Sequence, residues 1–372
     1  MIPPVDPGSL PPPAQKILTG PPKMQEMAAR GIALGVMPAD LILVLVALAK
    51  GPDPNLASIA DKTLGNLPQP VIAGALGANL APQAIDALAT RYHDRTDVLA
   101  KLLGMPALAI DTVEDVARVC NEEACELLAT NEERLLANPK IIEYLYLNKN
   151  CRMSTADRVI ELAVRNNVEV ALPAWREAAA AIQNELIPEP GDGPSPDDLL
   201  FQQNLRLADS LRQTGDSIED ALVDDDPNSE AKVKDKYIPL YREISMMTVS
   251  QKIRMAQIGT PEAILILIND PSPLVSRAAA QSPQLDEQVV EQVAKRRNVS
   301  GDVLTAIGQR PKLWHSLSTK RDLMKNPKTP PSFAMKLINH FQENELNRLS
   351  MDRNLSSSVR QLIKNHLERK KR

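Results

Sequence analysis

The chain has 372 residues, of which 43% are apolar but only 3% aromatic, and its formal net charge is −4. This length suits two domains or one elongated array. Because aromatic residues and alternating apolar and polar positions are both scarce, β-sandwiches and β-barrels are disfavoured, and we predict an all-α fold.

The net charge hides a strong asymmetry along the chain. Residues 185–235 hold 14 acidic and 4 basic residues, whereas residues 310–372 hold 15 basic and 5 acidic ones. The segments therefore differ in the partners that they attract, although the chain as a whole is weakly acidic.

The three cysteines, Cys120, Cys125 and Cys151, are odd in number and have no further Cys or His at a metal-ligand spacing. Neither a disulfide framework nor a zinc site is predicted, and a reducing compartment is indicated. The N-terminus lacks a secretory signal, and the longest apolar run, residues 41–49, is far below the roughly 20 residues of a membrane span. We expect a soluble cytoplasmic protein without membrane insertion.

The first predicted segment is rich in proline, with eight prolines up to and including Pro22. We expect a flexible, extended tail over residues 1–33, because proline removes backbone donors. A helix is predicted from Pro38 to Lys50. It is apolar on every side and should therefore be buried by its neighbours.

Short helical patterns then continue to residue 184 and predict an N-terminal domain of helical repeats over residues 34–184. Thr112 has the spacing of a capping box with Asp115. Cys120 lies on the apolar stripe that follows, which favours core packing over reactivity. Two later segments, which begin at Asn138 and Ser154, also predict helices.

Residues 185–236 are predicted to be an acidic, partly disordered linker. Proline and glycine dominate residues 187–196, and the remainder is acidic and poor in apolar residues. A possible isolated helix covers residues 197–212. The linker separates the N-terminal domain from a C-terminal domain of helical repeats, residues 237–372.

The C-terminal half shows an internal repeat. Asn298, Asn326 and Asn354 are equally spaced along the chain, and each follows a basic residue. An apolar residue stands nine positions after each asparagine, and a hydroxyl follows within a few positions. The apolar residues are Ile307, Met335 and Ile363, and the hydroxyl residues are Ser300, Thr329 and Ser356. The first half contains the pattern once, at Asn150.

Equal spacing predicts a structural repeat of two short helices, which bury their apolar stripes by stacking on one another. We expect the asparagine to end one helix in the left-handed conformation, and Ser300 and Thr329 to cap the next.

Three blocks carry a family resemblance: MTVSQKIRMAQIGTPEAILILINDPSPLV (247–275), RRNVSGDVLTAI (296–307) and LMKNPKTPPSFAMKLI (323–338). Their N-P-x-T-P and N-V-S elements resemble HEAT-like and leucine-rich-repeat-variant α-solenoids. The order of the blocks is similar to that in a group of bacterial α-repeat proteins without an assigned activity. Over residues 237–372 the resemblance implies an α-solenoid and no catalytic residue.

No catalytic, cofactor-binding or metal-binding residue is predicted. The chain lacks phosphate-binding glycine loops and nucleophile elbows, and its four histidines are far apart. The acidic cluster at residues 122–133 fits a solvated helix face better than a cation site. We therefore expect a protein that is not an enzyme and needs no cofactor.

Basic residues around the predicted turns of the C-terminal half form a candidate polyanion-binding stripe. Its members are Arg296, Arg297, Arg310, Lys312, Lys320, Arg321, Lys325 and Lys328. Corresponding turns of a solenoid align, so these cations would face phosphates together. Trp314 and His315 would add a stacking surface.

Two functions remain open from the sequence. The first is a non-enzymatic scaffold or adaptor that binds protein partners along extended solenoid surfaces. The second is the binding of nucleic acid or another polyanion by the basic stripe. We favour the scaffold, since the chain is acidic overall and poor in aromatic residues for base stacking. Neither the partner nor the oligomeric state follows from the sequence.

Overall fold

The computed structural model of the chain is almost entirely helical. It describes residues 5, 8, 10–183, 193–213, 222–223, 232–233, 237–352 and 355–371. These residues form 24 α-helices, a 3-10 turn at Pro311–Leu313 and two strands of two residues each. The all-α fold class is confirmed.

The chain divides into two compact units, Met1–Thr155 and Ala156–Arg372. The helices of unit 1 are α1 (Pro12–Leu18), α2 (Pro22–Ala29), α3 (Pro38–Ala49), α4 (Pro54–Gly65), α5 (Gln69–Leu76), α6 (Pro82–Arg91), α7 (Thr96–Leu103), α8 (Ile110–Val119), α9 (Glu122–Ala129), α10 (Glu132–Ala137) and α11 (Pro139–Leu147). The next helix, α12 (Met153–Arg165), contains the division. This division after Thr155 lies earlier in the chain than residue 184, where the predicted N-terminal domain ends. The domain limits 34–184, 185–236 and 237–372 remain predictions.

Unit 2 continues with α13 (Trp175–Ile182), α14 (Pro196–Gln213), α15 (Ile238–Met246), α16 (Val249–Ile258), α17 (Pro261–Leu267), α18 (Pro273–Ala280), α19 (Glu287–Lys295), α20 (Gly301–Gly308), α21 (Leu317–Lys325), α22 (Pro331–Ile338), α23 (Glu343–Met351) and α24 (Ser357–Lys371). Between α14 and α15 the strands β1 (Leu222–Val223) and β2 (Lys232–Val233) pair antiparallel, with Leu222 opposite Val233.

The prolines at positions 11, 12, 21 and 22 start helices instead of forming an extended tail, whereas Pro3, Pro4 and Pro7 lie outside the described residues. Pro11 and Pro12 open α1, and Pro21 and Pro22 open α2. Proline fits the first turn, where its missing N–H has no intrahelical acceptor. Both helices contact α3. Their buried residues Leu10, Ala14, Ile17, Ala28 and Ala29 join its core. The prediction of an extended tail over residues 1–33 is therefore wrong for residues 12–29.

The centre of unit 1 is α3, which contacts α1, α2, α4, α5 and α6. Its start at Pro38 and its burial are confirmed, since Ile42, Val44 and Leu45 are fully buried. From there helices contact partners two positions along the chain, as in α5 with α7 and α7 with α9. A second series runs through α6, α8 and α11.

Unit 2 contains two rows of helices. One row runs through α16, α18, α20, α22 and α24, and the other through α15, α17, α19 and α21, each helix contacting the next in its row. Helices α16 and α18 also contact α17, and α22 contacts α21, so that the rows pack against each other. Ile307, Leu337 and Ile363 lie at the seventh residue of α20, α22 and α24, and all three are fully buried.

Helix α14 confirms the helix predicted over residues 197–212, but it is not isolated. It contacts α15 and α17, and Phe201, Leu205 and Ala208 are buried. The guanidinium carbon of Arg254 lies 5.3 Å from the centroid of the Phe201 ring. The apolar i, i+4, i+7 spacing of these residues explains the packing. The rest of the predicted linker lies largely outside the described residues.

Turns fall where the asparagine repeat predicts them, between α19 and α20, α21 and α22, and α23 and α24. The predicted mechanism is wrong for Asn326, whose φ of −66° is extended and not left-handed. Ser300 caps α20 by accepting a hydrogen bond from the Asp302 N–H at 3.2 Å. Thr329 does not cap α22, because Pro330 precedes that helix and the Thr329 hydroxyl instead donates to the carbonyl of Leu323 in the last turn of α21. Asn354 lies outside the described residues.

The predicted capping box at Thr112 is also absent. Helix α8 begins at Ile110, and Thr112 is buried in its first turn. The preceding Ala109 N–H donates to Oδ1 of Asp86 at 3.0 Å. A carboxylate from another helix therefore satisfies the N–H of the N-cap residue of α8.

Candidate functional site

Unit 2 contains a groove of about 840 Å³. Its walls come from the loop 169–173 and from helices α13, α18 and α20. Because α18 and α20 are neighbours in one row, equivalent residues of the two helices face the same groove.

A left-handed residue directs the loop 169–173 into this groove. Asn167 has a φ of 56° and follows the end of α12. Its N–H donates to the Val164 carbonyl at 3.1 Å, and the Val168 N–H donates to the Ala163 carbonyl at 2.9 Å. These bonds satisfy the last carbonyls of the helix, and asparagine tolerates this conformation. The left-handed asparagine that the repeat predicted at other positions is found here.

Trp175 is the aromatic residue of the groove and opens α13 while half-buried. Beside it Glu177 is only 7% exposed and lies 3.7 Å (Oε1 to Nε) from Arg277 of α18. The Arg277 Nε also donates to the Pro273 carbonyl at 3.2 Å. Arg277 is therefore held against α13 and α18 while part of its side chain stays accessible.

The opposite wall is polar. Gln281 and Gln309 both line the groove, and they occupy equivalent places, since each directly follows the last residue of its helix, α18 or α20. Thr305 of α20 lines the same wall. Amide side chains offer donors and acceptors at once, as a peptide backbone requires. With two arginines and three carboxylates in its lining, the groove is close to electrically neutral.

The structure does not bring the eight residues of the predicted stripe together as free cations. Arg296 is only 3% exposed. Arg310 is half-buried, and its Nη1 donates to the carbonyl of Ser282 at 2.8 Å. Burial lowers the pKa of the Arg310 guanidinium. Both side chains are directed into the protein, so these two do not offer free cations at the surface.

Two further members of the stripe are neutralised by carboxylates. Arg321 pairs with Glu345, and Lys325 pairs with Asp352, each at 3.1 Å. The Lys320 ammonium group donates to the His315 carbonyl at 2.8 Å. Arg297, Lys312 and Lys328 are exposed.

The predicted stacking surface is also absent at Trp314, which is 4% exposed. Its Nε1 donates to the Ile307 carbonyl at 3.1 Å, and its ring packs edge-on against Phe333. The indole is thus a core side chain, and only His315 beside it is exposed.

The three cysteines meet in the core of unit 1, and the burial predicted for Cys120 is confirmed. The Sγ atoms of Cys120 and Cys125 lie 3.5 Å apart. Hydrogen bonds with the thiols of Cys120 and Cys151, together with burial, raise the pKa of the Cys125 thiol far above its usual range. This thiol is protonated and inert at neutral pH.

We expect the native protein to react with Ellman's reagent far more slowly than protein unfolded in guanidinium chloride, where all three thiols react. The reason is that attack requires an accessible thiolate, and none of the three is accessible. The measurement is the rate of thionitrobenzoate release with and without denaturant. A thiol that reacts equally fast in both conditions contradicts the buried cluster.

In the described part of the chain, no group of three or more His, Cys, Asp or Glu side chains is arranged to hold a metal ion. Over the same residues no helix has the length and apolar content needed to cross a membrane.

Comparison with known proteins returns no relative: no family model, no curated protein and no solved structure matches the chain.

Proposed function

We propose that the chain is a non-enzymatic scaffold or adaptor, built from helical repeats, that binds protein partners. The observation that carries the proposal is the groove of unit 2, which combines a half-buried Trp175 with polar walls. Aromatic anchors surrounded by adaptable polar groups are typical of protein-binding surfaces.

Recurring hydrogen bonds from asparagine side chains to backbone carbonyls of the preceding helix pair support the helical-repeat part of the proposal. In unit 1 the Asn148 amide donates to the carbonyls of Ala117 and Cys120 at 3.1 and 3.0 Å. In unit 2 the Asn326 amide donates to those of Ala294 and Arg296 at 3.0 and 2.6 Å. In each case the bond joins a turn to the turn of the preceding helix pair, as stacked helix pairs require.

The alternative of polyanion binding along the whole predicted stripe has less support. Four of its eight members are engaged, either inside the protein or in ion pairs. The groove, in contrast, is lined by residues of the three helices α13, α18 and α20, and its aromatic and amide side chains suit a peptide. Its near neutrality favours partners that are recognised by shape and by backbone hydrogen bonds.

The proposal is tested by selecting peptides from a random library on the full-length chain and titrating the enriched peptides. We expect Trp175→Ala to weaken their binding at least about tenfold, because aromatic anchors dominate such interfaces. Thr305→Arg, on an exposed position of α20, should block the groove without disturbing the core. Isothermal titration calorimetry measures the affinity of each peptide.

Met335→Ala serves as the matched control, since Met335 is 55% exposed on α22 and does not line the groove. Circular dichroism verifies that each variant stays folded. The proposal fails if no peptide is enriched, or if enriched peptides bind folded Trp175→Ala and Thr305→Arg as tightly as the unaltered chain.

A further inference from the structure

A second, smaller cleft of unit 2 is lined by two lysines and two histidines and by no carboxylate. It has a volume of about 490 Å³ and lies between the end of α20, the segment around the 3-10 turn, and the end of α22. Lys320, Lys336, His315 and His340 line it, with Trp314 behind them. The nearby basic residues Arg321 and Lys325 are paired with acids, in contrast to the two lysines of this cleft.

Both lysine ammonium groups are fixed by backbone carbonyls at the edge of the cleft. The Lys320 Nζ donates to the His315 carbonyl at 2.8 Å, and the Lys336 Nζ donates to the Gly308 carbonyl at 3.3 Å. An ammonium group has three donors, so each lysine retains two for a ligand. Neither lysine forms an ion pair within the described residues. The cations are thus positioned in advance, and their binding capacity is largely unused.

The floor of the cleft is rigid and apolar. Trp314 packs edge-on against the Phe333 and His340 rings, with centroids 5.5 Å apart in both cases. Its hydrogen bond to the Ile307 carbonyl anchors the indole. The His340 ring is therefore held at the cleft wall, and the apolar floor lowers the local dielectric, which strengthens attraction between the lysines and an anion.

We propose that this cleft binds a phosphate monoester. Two lysines, one from α21 and one from α22, match the double negative charge and several acceptor oxygens of such a group. The volume exceeds that of a bare phosphate ion, which leaves room for an attached organic moiety. The site is separate from the peptide groove, although Gln309 borders both.

The experiment is a calorimetric titration of the full-length chain at low ionic strength with O-phosphoserine, adenosine monophosphate, inorganic phosphate and acetate. We expect saturable binding of at least one ester, tighter than that of inorganic phosphate, and no measurable binding of acetate. Added salt should weaken binding, since exposed charges are screened. If neither ester binds saturably, or if phosphate or acetate binds as tightly as the esters, the proposal is overturned.

Variants locate the binding. Lys320→Gln and Lys336→Gln keep a long polar side chain but remove the charge, and the double variant should bind the ester at least about tenfold more weakly. Lys312→Gln is the matched control, because Lys312 is exposed and nearby but does not line the cleft. Thermal unfolding checks that the variants are folded. An equal loss in Lys312→Gln, or none in the double variant, overturns the assignment.

Discussion

A Leu337→Ala variant is expected to lose about 2–5 kcal/mol of unfolding free energy, the usual range for deleting a fully buried leucine side chain. Leu337 is 0% exposed and occupies the position in α22 that Ile307 occupies in α20 and Ile363 in α24. The loss combines the transfer free energy of the deleted atoms with the cavity that remains. Equilibrium unfolding in urea, followed by far-UV circular dichroism, measures it.

Met335→Ala, two positions earlier, tests the register of α22. Met335 stands at the same distance after its asparagine as Ile307 and Ile363, yet it is 55% exposed in the structure. We expect this variant to change stability by less than about 0.5 kcal/mol. Pro330→Ala should also cost little, since Pro330 precedes the first turn of α22. A larger loss for Met335→Ala than for Leu337→Ala would contradict the structural register.

The exposure of Met335 shows how far periodicity alone predicts the buried positions of a repeat. The interval from Ile307 to Leu337 is longer than that from Leu337 to Ile363, so a constant spacing matches the outer pair and misses the middle one. The 3-10 turn Pro311–Leu313 lengthens the first connection. Insertions of this kind are absorbed in loops and leave no periodic signal. The helices themselves were predictable because their apolar spacing is local.

Proline content led to a wrong prediction near the N-terminus. Its enrichment near the N-terminus indicated an extended tail, yet proline occupies the first turn of at least eleven helices of the described chain. A Pro-Pro pair followed by a short apolar pattern is therefore a helix start in this chain. The burial of Leu10 and Ile17 against α3 is a tertiary effect that composition does not reveal.

The candidate site was the least predictable part. The sequence shows which basic residues lie near turns, but whether each side chain faces solvent depends on its contacts with neighbouring helices. Arg310 bonds to the carbonyls of Ala280 and Ser282, and Lys320 and Lys336 line one cleft formed by three segments. The groove around Trp175 was missed because its walls come from segments that are far apart in the sequence. The left-handed Asn167, in the Asn-Asn pair at residues 166–167, was the local signal for its loop.

An Asn326→Ala variant is expected to lose about 2–4 kcal/mol, because removal of one amide deprives two buried carbonyls of their donor. Asn326 is 4% exposed, and its Nδ2 bonds to the carbonyls of Ala294 and Arg296. Its Oδ1 accepts from the Lys328 N–H at 3.0 Å and closes the turn before α22. The side chain thus joins the turns of two successive helix pairs, and urea unfolding measures its contribution.

Three matched variants separate the donor role of this amide from the volume of the side chain. Asn326→Asp keeps the shape and the acceptor but places a carboxylate against two carbonyls, so it should destabilise at least as much as alanine. Asn148→Ala should cost a similar amount, since its amide also donates to two carbonyls of an earlier turn. Asn339→Ala, on the exposed end of α22, should stay within about 0.5 kcal/mol. If Asn326→Asp leaves the free energy of unfolding unchanged, then side-chain volume, and not the hydrogen bonds between successive helix pairs, makes asparagine necessary at these turns.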